Sequence, residues 1–214
     1  MEYIIETKNL LKRYGAKAAV NNVSLHVKKG EIYGLIGKNG AGKTTLMKLL
    51  LGLANPNSGE ISLFGSSTPN EKRRKIGSLI EEPALYKGET ALENLRRFAI
   101  LVPTPEEELQ RLLELVGLSD AGNKKAGKFS LGMRQRLGIA QAIMEDPSLL
   151  ILDEPMNGLD KNSVAEMREL FRSLATDGRT ILLASHNIAD IDALCDTVCE
   201  MDAGVMTMIR EERA

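Results

Sequence analysis

A glycine-rich segment between a predicted strand and a predicted helix constrains the fold of this chain more than any other feature. Residues 37–44, Gly-Lys-Asn-Gly-Ala-Gly-Lys-Thr, match the pattern G-x-x-x-x-G-K-[ST]. They follow the apolar run Tyr33–Ile36 and precede a predicted helix over Thr44–Leu51, the context that a phosphate-binding loop requires. The alternative is a glycine-rich turn before a surface helix, and the eight matched positions with both flanks disfavour it.

The residue types of this loop suit a polyphosphate. Glycines let successive backbone N–H groups curl around phosphate oxygens, and the helix N-terminus adds partial positive charge. Lys43 is predicted to reach the β- and γ-phosphates, and the Thr44 hydroxyl is predicted to bind Mg²⁺. The predicted phosphate site comprises Gly37, Lys38, Asn39, Gly40, Ala41, Gly42, Lys43, Thr44 and Thr45.

Two adjacent acids, Asp153 and Glu154, follow a second apolar run at Leu149–Leu152. A fully apolar run is typical of a parallel strand covered on both faces, whose carboxyl end meets the phosphate loop at one sheet edge. Asp153 is predicted to hold Mg²⁺ through its water shell, and Glu154 to orient and polarise the water that attacks the γ-phosphate. The alternative is an acidic N-cap of the next helix, which the presence of the phosphate loop disfavours.

The order of the remaining patterns predicts an α/β core with a β-rich N-terminal region. Alternating residues at Val23–Val27 and the run Glu31–Ile36 predict a half-buried antiparallel pair. An almost wholly apolar strand at Thr180–Ala184 favours a parallel sheet. Further strands are predicted at Glu60–Phe64 and Ile76–Ile80, and two short strands within Thr197–Ile209.

Residues 85–146 contain only helical patterns, which predicts a helical insertion in the α/β core. Thr104 is predicted to cap a helix with Pro105 at its first position. That helix carries apolar residues at helical spacing, namely Leu109, Leu112, Leu113 and Val116. A second helix starts at Ser130 and ends before Pro147, with an apolar face of Met133, Leu137, Ala140 and Met144. We expect one domain over residues 1–214.

Composition limits the possible partners and the location. The 28 Lys and Arg against 29 Asp and Glu leave no basic excess for direct nucleic-acid binding. No window of about 18 residues is free of charge, so we expect no membrane-spanning segment and no secretion. Cys195 and Cys199, an i,i+4 pair on a predicted helix, are expected to be reduced core thiols of a cytoplasmic protein.

Several shorter motifs complete a family pattern when they are combined with the phosphate loop, the helical insertion and the two acids. These motifs are Lys12-Arg13-Tyr14-Gly15, Ser130-Leu131-Gly132-Met133-Arg134-Gln135, Asn157-Gly158-Leu159-Asp160 and Ser185-His186. Over essentially its whole length, the chain resembles the nucleotide-binding subunit of an ATP-binding cassette (ABC) transporter. Each short motif is weak alone, since a single Tyr or His is more often structural. His26 is a contrast, because alternation places it on a solvated strand face.

The resemblance implies an α/β P-loop NTPase (RecA-like) core with an N-terminal antiparallel β region and an inserted helical subdomain. It implies hydrolysis of ATP with Mg²⁺, with Tyr14 stacking on adenine and His186 contacting the γ-phosphate. It also implies that Ser130, Gly132 and the D-loop residue Asp160 contact ATP between two copies of the chain. Two ATP molecules would then lie in a head-to-tail dimer.

The chain departs from the family pattern at two positions. Leu131 replaces the first glycine of the signature sequence, and Glu81 stands where the family has a glutamine. The resemblance implies a contact of Glu81 with Mg²⁺; Glu82 takes that place if the register slips by one, and a solvated acidic turn is the alternative. With these departures the chain is similar to the ATPase subunits of lantibiotic self-protection exporters and their bacitracin-resistance relatives.

The resemblance implies a motor subunit that binds separate transmembrane permease subunits at the inner face of the cell membrane and drives export of an antimicrobial peptide. One alternative is an importer subunit, which the end of the chain at Ala214, without a regulatory domain, is taken to disfavour. A second is a soluble ABC ATPase acting on nucleic acid or ribosomes, which the charge balance disfavours. A third is a small-molecule kinase, which would not explain the Ser130 motif or His186.

Overall fold

The structure is a computed structural model that describes residues 2–66, 72–121 and 123–211. The strands are β1 Tyr3–Tyr14, β2 Lys17–Val23, β3 His26–Lys28, β4 Ile32–Ile36, β5 Ser58–Leu63, β6 Ile76–Leu79, β7 Leu149–Asp153, β8 Thr180–Ser185, β9 Thr197–Asp202 and β10 Val205–Arg210. The α-helices are α1 Lys43–Leu50, α2 Ala91–Ala99, α3 Glu106–Leu115, α4 Leu131–Ala142, α5 Lys161–Thr176 and α6 Ile188–Leu194.

A six-stranded sheet forms the centre of the molecule, in the order β10-β9-β4-β8-β7-β6. The pairs from β9 to β6 are parallel, and β10 joins the edge as an antiparallel strand. Every residue of β7 and of β8 is buried, as expected for strands covered on both faces. The α/β fold class predicted from the sequence is confirmed.

A second, antiparallel sheet contains β1 between β2 and β3, with β5 also paired to β1. The predicted antiparallel pair of residues 23–27 with residues 31–36 is wrong. β3 pairs with β1, while β4 pairs in parallel with β8 and β9. Ile32, Tyr33 and Leu35 are all buried, so β4 needs cover on both faces, and the turn at Gly30 carries the chain from one sheet to the other.

Alternate residues of the central sheet enter two separate apolar clusters. Leu149 and Ile151 pack with α1 and the antiparallel sheet, whereas Leu150 and Leu152 pack with α2 to α6. Because successive side chains of a strand point to opposite faces, these clusters lie on the two sides of the sheet. The phosphate loop and α1 therefore sit at the junction of the central sheet with the smaller one.

Within residues 85–146, the described part contains α2, α3, α4 and short 3-10 turns, and no strand. Pro105 is the N-cap of α3, and the Thr104 hydroxyl donates to the carbonyl of Val102 at 2.7 Å. The predicted Thr104 cap is therefore wrong, because that hydroxyl is used by the preceding turn. Ser130 caps α4 by accepting from the N–H of Met133. None of the described helices is long and apolar enough to cross a membrane.

The two cysteines do not share a helix, contrary to the prediction. Cys195 ends α6 and Cys199 lies within β9, where its Sγ is 2.7 Å from the Tyr33 hydroxyl. Both are buried free thiols, as predicted. Burial raises the pKa of Cys195 to about 12, so this thiol is unreactive at neutral pH.

Candidate functional site

The phosphate loop connects β4 to α1 through a backbone that only glycine accommodates well. Gly40 and Gly42 have φ angles of +82° and +117°, in the region that glycine favours. A Cβ on Gly42 would lie 2.1 Å from the carbonyl oxygen of Ala19. Gly42 is the N-cap of α1 and supplies no capping side chain. The first N–H groups of α1 are therefore available to an anion.

Lys43 is folded beneath this loop. Its side chain is buried, and Nζ donates to the carbonyl oxygens of Gly37 at 2.5 Å and Lys38 at 3.3 Å. The same Nζ lies 3.3 Å from Oε1 of Glu154. The ammonium group thus joins the phosphate loop to the end of β7.

Thr44 and Asp153 form the second link between the loop and β7. The Thr44 hydroxyl donates to Oδ2 of Asp153 at 2.5 Å. Asp153 is buried, and its Oδ1 has no hydrogen-bond partner. Burial raises the pKa of this carboxyl group, against the lowering effect of the Thr44 hydrogen bond. A hydroxyl and a carboxylate with an unused oxygen are the hard donors that Mg²⁺ prefers.

These donors suit a magnesium ion that also binds phosphates and water, rather than a metal ion held by protein side chains alone. No group of three or more His, Cys, Asp or Glu side chains that could hold a metal occurs within the described residues. Magnesium in nucleotide sites typically takes one or two carboxylates together with substrate phosphates and water. The Thr44–Asp153 pair beside the phosphate loop matches that arrangement.

Glu154 lies between a cation and an imidazole. Its Oε1 faces Lys43, and its Oε2 lies 2.9 Å from Nδ1 of His186. Glu154 has a φ angle of +51°, unusual for a residue other than glycine and typical of functional sites. The N–H of Glu154 donates to the carbonyl of Ala184 at 2.9 Å. This bond fixes the backbone of Glu154 at the carboxyl end of β8. The alternative that residues 153 and 154 cap the next helix is wrong, because Asp160 caps α5.

The phosphate loop, Asp153 and Glu154 line a cleft of about 450 Å³, whereas His186 contacts Glu154 without lining the cleft. Its wall includes Tyr14, whose ring is half exposed, with Nζ of Lys12 5.1 Å from the ring centre. The lining residues are Tyr14, Lys17, Ala19, Lys38, Asn39, Gly40, Gly42, Lys43, Thr44, Thr45, Asp153 and Glu154. Lys17 and Ala19 were not predicted; they belong to β2, and no motif marks them. Gly37 and Ala41 shape the loop without lining the cleft.

Three predicted site residues lie outside this cleft and close to one another. Asp160 caps α5 by accepting from the N–H and the hydroxyl of Ser163, each at 3.0 Å. A Cβ on Gly132 would be 3.4 Å from that same Ser163 hydroxyl, and Ser130 caps the same helix, α4. Ser130, Gly132 and Asp160 therefore share a second surface, which we call the signature surface.

Glu81 also lies outside the cleft, at the end of β6. Its carboxylate is exposed and forms an ion pair with Lys48, 2.8 Å between Nζ and Oε1. The Lys48 ammonium group lowers the pKa of Glu81. Lys48 was not predicted, although its position four residues after Thr44 places both on one face of α1. The neighbouring Glu82 faces a different cavity, between β6 and α4.

The family model described as ABC transporter matches residues 20–157. The chain is 46% identical to the bacitracin transport ATP-binding protein BcrA of Enterococcus faecalis, over 95% of this chain and 68% of that protein. It is 41% identical to the lantibiotic transport ATP-binding protein SrtF of Streptococcus pyogenes, over 97% of this chain and 91% of that protein. The chain spans about two thirds of the length of the bacitracin relatives.

The chain is also similar to solved structures of ABC transporter ATP-binding proteins. An ATP-binding subunit of an ABC transporter has a TM-score of 0.82 and 32% identity, covering 96% of this chain and 90% of that one. An ATP-binding cassette in its ADP conformation has a TM-score of 0.86 and 25% identity, covering 99% and 92%. The chain belongs to the ABC transporter family and carries its ATP-binding domain.

The predicted resemblance is thereby confirmed, including the similarity to bacitracin and lantibiotic ATPases. Members of this family are ATPases coupled to transport. Their ATP-binding domains bind ATP, generally with Mg²⁺, and work as dimers with separate transmembrane subunits.

Replacing Asp153 by Asn is expected to stabilise the nucleotide-free chain at neutral pH by about 1 kcal/mol. The amide keeps an acceptor for Thr44 and removes a buried charge that lies near Glu154. Because the folded-state pKa is raised, the charge costs stability above that pKa, and the cost disappears below the ordinary value of 3.8. The gain should therefore shrink as the pH falls through the raised pKa.

Urea unfolding of both chains across the acid range measures this effect. Asp120→Asn, at an exposed position, is the matched control and should change the free energy of unfolding by less than about 0.5 kcal/mol. An Asp153→Asn chain less stable than the wild type at pH 7 would contradict the interpretation that burial of this carboxylate charge costs stability.

Proposed function

We propose that this chain binds MgATP in the cleft between the phosphate loop and the end of β7, and hydrolyses it to drive a transporter. The observation that carries the proposal is the 2.5 Å hydrogen bond from Thr44 to Asp153. It joins two motifs separated by 109 positions in the sequence. A hydroxyl, a buried carboxylate and the uncapped N-terminus of α1 meet at one point, as phosphoryl transfer requires.

The residues of the cleft divide into groups that hold different parts of the nucleotide. The N–H groups of the loop and of the first turn of α1 bind phosphate oxygens, apart from those of Gly37 and Ala41, which donate to backbone carbonyls. Lys43 leaves its loop carbonyls to pair with the β- and γ-phosphates. Thr44 and Asp153 would hold the magnesium ion, which would neutralise charge on the phosphates. Tyr14, a half-exposed residue in the wall of the cleft, stacks on the adenine ring.

Hydrolysis depends on Glu154 and His186. When phosphates draw Lys43 away, Oε1 of Glu154 loses its cationic neighbour and is free to orient a water molecule towards the γ-phosphate. His186, held 2.9 Å from the other carboxylate oxygen, contacts the γ-phosphate. Lys43 then stabilises the negative charge that develops on the transferred group. Without nucleotide, Oε1 of Glu154 faces the Lys43 ammonium group instead of a water molecule.

The signature surface supports a dimer of two copies. Ser130, Gly132 and Asp160 lie together but outside the cleft of their own chain. We infer that they face the nucleotide of the second copy, where the N-terminus of α4 offers N–H groups to its phosphate. Residues 1–214 then act as one domain, with residues 85–146 as an inserted helical subdomain that carries this surface.

The cargo class is inferred from the relatives. The printed names of two relatives specify bacitracin transport and lantibiotic transport, so we propose export of a peptide antibiotic through separate permease subunits, with this chain at the inner face of the membrane. The importer alternative shares the same chemistry. The end at Ala214 does not separate the two alternatives, because the bacitracin relatives are longer than this chain.

Replacing Glu154 by Gln is expected to lower kcat for ATP hydrolysis by at least about 100-fold while leaving ATP affinity near that of the wild type. The amide keeps the size of the side chain but cannot accept the proton of the attacking water. Phosphate release and binding of a fluorescent ATP analogue measure the two quantities. Turnover by Glu154→Gln close to wild type would exclude Glu154 as the base.

Replacing Lys43 by Ala should instead weaken nucleotide binding at least about tenfold, as measured with the same fluorescent analogue.

The transporter assignment has its own test. The tagged Glu154→Gln chain, loaded with MgATP, is used to recover partners from detergent-solubilised membranes of its own cells. Multi-span membrane proteins that co-purify would support the proposal and direct survival assays towards peptide antibiotics. Recovery of the chain alone, with ribosomes or with nucleic acid would favour the soluble ATPase alternative.

Replacing Glu81 by Gln should leave ATPase activity in place and alter the protection that the cells show in survival assays against peptide antibiotics. Unchanged protection would contradict a role of Glu81 in coupling hydrolysis to transport.

A further inference from the structure

Leu131, the first residue of α4, contacts the D-loop, residues 157–160. A Cβ on Gly158 would lie 2.9 Å from Cδ2 of Leu131, so the methyl group of Leu131 occupies the space that a side chain at position 158 would need. Gly158 has a φ angle of +73°, in the region that glycine favours. The missing side chain of Gly158 thus makes room for Leu131, which stands where the family has a glycine.

The D-loop is bonded to β7 and α5 but not to α4. The N–H of Asn157 donates to the carbonyl of Glu154 at 3.1 Å, and the Asp160 carboxylate accepts from Ser163 at the start of α5. Among the residues that the structure describes, no hydrogen bond joins residues 157–160 to α4. Side-chain packing is therefore what holds the D-loop against this helix.

Leu131 supplies a side chain for that packing. Its neighbour Gly132 contributes little, because a Cβ there would lie 3.7 Å from Cδ2 of Leu159 and glycine has none. Leu131 is half-buried and does not line the nucleotide cleft. The position of Asp160 relative to Ser130 on the signature surface thus depends on a side chain that a glycine at position 131 would lack.

We propose that Leu131 is a positioning residue that holds the D-loop against α4, so that Ser130 and Asp160 meet the second copy in one fixed arrangement. This inference rests on the dimer in the proposed function. A surface that is already ordered binds more tightly than one that must be ordered during binding. Truncation of Leu131 loosens the D-loop, and dimer formation must then order this loop in both copies.

The test separates dimer formation from nucleotide binding. It uses the full chain with Glu154→Gln and MgATP, and sedimentation velocity over a range of protein concentrations gives the dimer dissociation constant. Leu131→Ala should weaken the dimer about tenfold, from about threefold for each of the two loops to be ordered. Affinity for the fluorescent ATP analogue should stay unchanged, because Leu131 lies outside the cleft. Leu131→Met should restore the dimer, since methionine fills a similar volume.

A double substitution tests the contact itself. Gly158→Ala places a Cβ against Leu131 at a positive φ angle and should weaken the dimer on its own. In that background Leu131→Ala should cause no further loss, because the new Cβ takes up part of the space that Leu131 leaves. Equal losses from Leu131→Ala with Gly158 and with Ala at position 158 would overturn the inference.

Leu92→Ala is the matched control, because Leu92 is also a half-buried leucine in the first turn of a helix, α2. It should leave the dimer unchanged. The same loss from Leu92→Ala, or a dimer that Leu131→Ala does not weaken, would overturn the inference. A Glu154→Gln chain that binds the ATP analogue but stays monomeric would instead overturn the dimer of the proposed function.

Discussion

The hydrogen bond from the Thr44 hydroxyl to the Asp153 carboxylate is the contact on which the site depends. It ties the first turn of α1 to the end of β7, although β8 lies between β4 and β7 in the sheet. Parallel pairing brings the carboxyl ends of β4, β8, β7 and β6 to one edge. The phosphate loop, the two acids, His186 and Glu81 all follow those ends, so one sheet edge organises the whole constellation.

The charged side chains of the site are only partly neutralised and hydrogen-bonded by other groups of the chain. Lys43 is retained by loop carbonyls and Glu154, while Asp153 is buried with one unpartnered oxygen. Such an arrangement costs stability and is typical of a site built for a charged ligand. In the proposed mechanism, MgATP supplies an anion for Lys43 and a metal ion for Asp153. In that mechanism, nucleotide binding also frees Glu154 from its contact with Lys43.

Much of the fold could be predicted because local pattern and tertiary context agree. β7 and β8 are largely apolar and are buried throughout, and the phosphate loop is a pattern whose backbone geometry follows from its glycines. The partner of β4 could not be predicted, because an apolar run beside a turn suits either a hairpin or a central parallel strand. Likewise, Thr104 has the composition of a cap, yet its hydroxyl bonds to the preceding turn.

The site was predictable to the extent that its residues lie within contiguous motifs. Thr44, Asp153, Glu154 and His186 are marked by neighbours in the sequence, and the structure brings them together. Lys17 and Ala19 carry no motif and enter the site only through the packing of β2. The clustering of Gly132, Ser163 and Asp160 depends on how α4 meets α5, which no local pattern encodes.

The central claim is that one metal ion lies between Thr44, Asp153 and the nucleotide phosphates. It is tested most directly by ³¹P electron–nuclear double resonance of Mn²⁺ bound to the chain with AMP-PNP. The account predicts phosphorus couplings from two phosphates in the wild type, and loss of this bound-metal signal when Asp153 is replaced by Asn. A bound Mn²⁺ without phosphorus coupling, or a spectrum unchanged by Asp153→Asn, would contradict it.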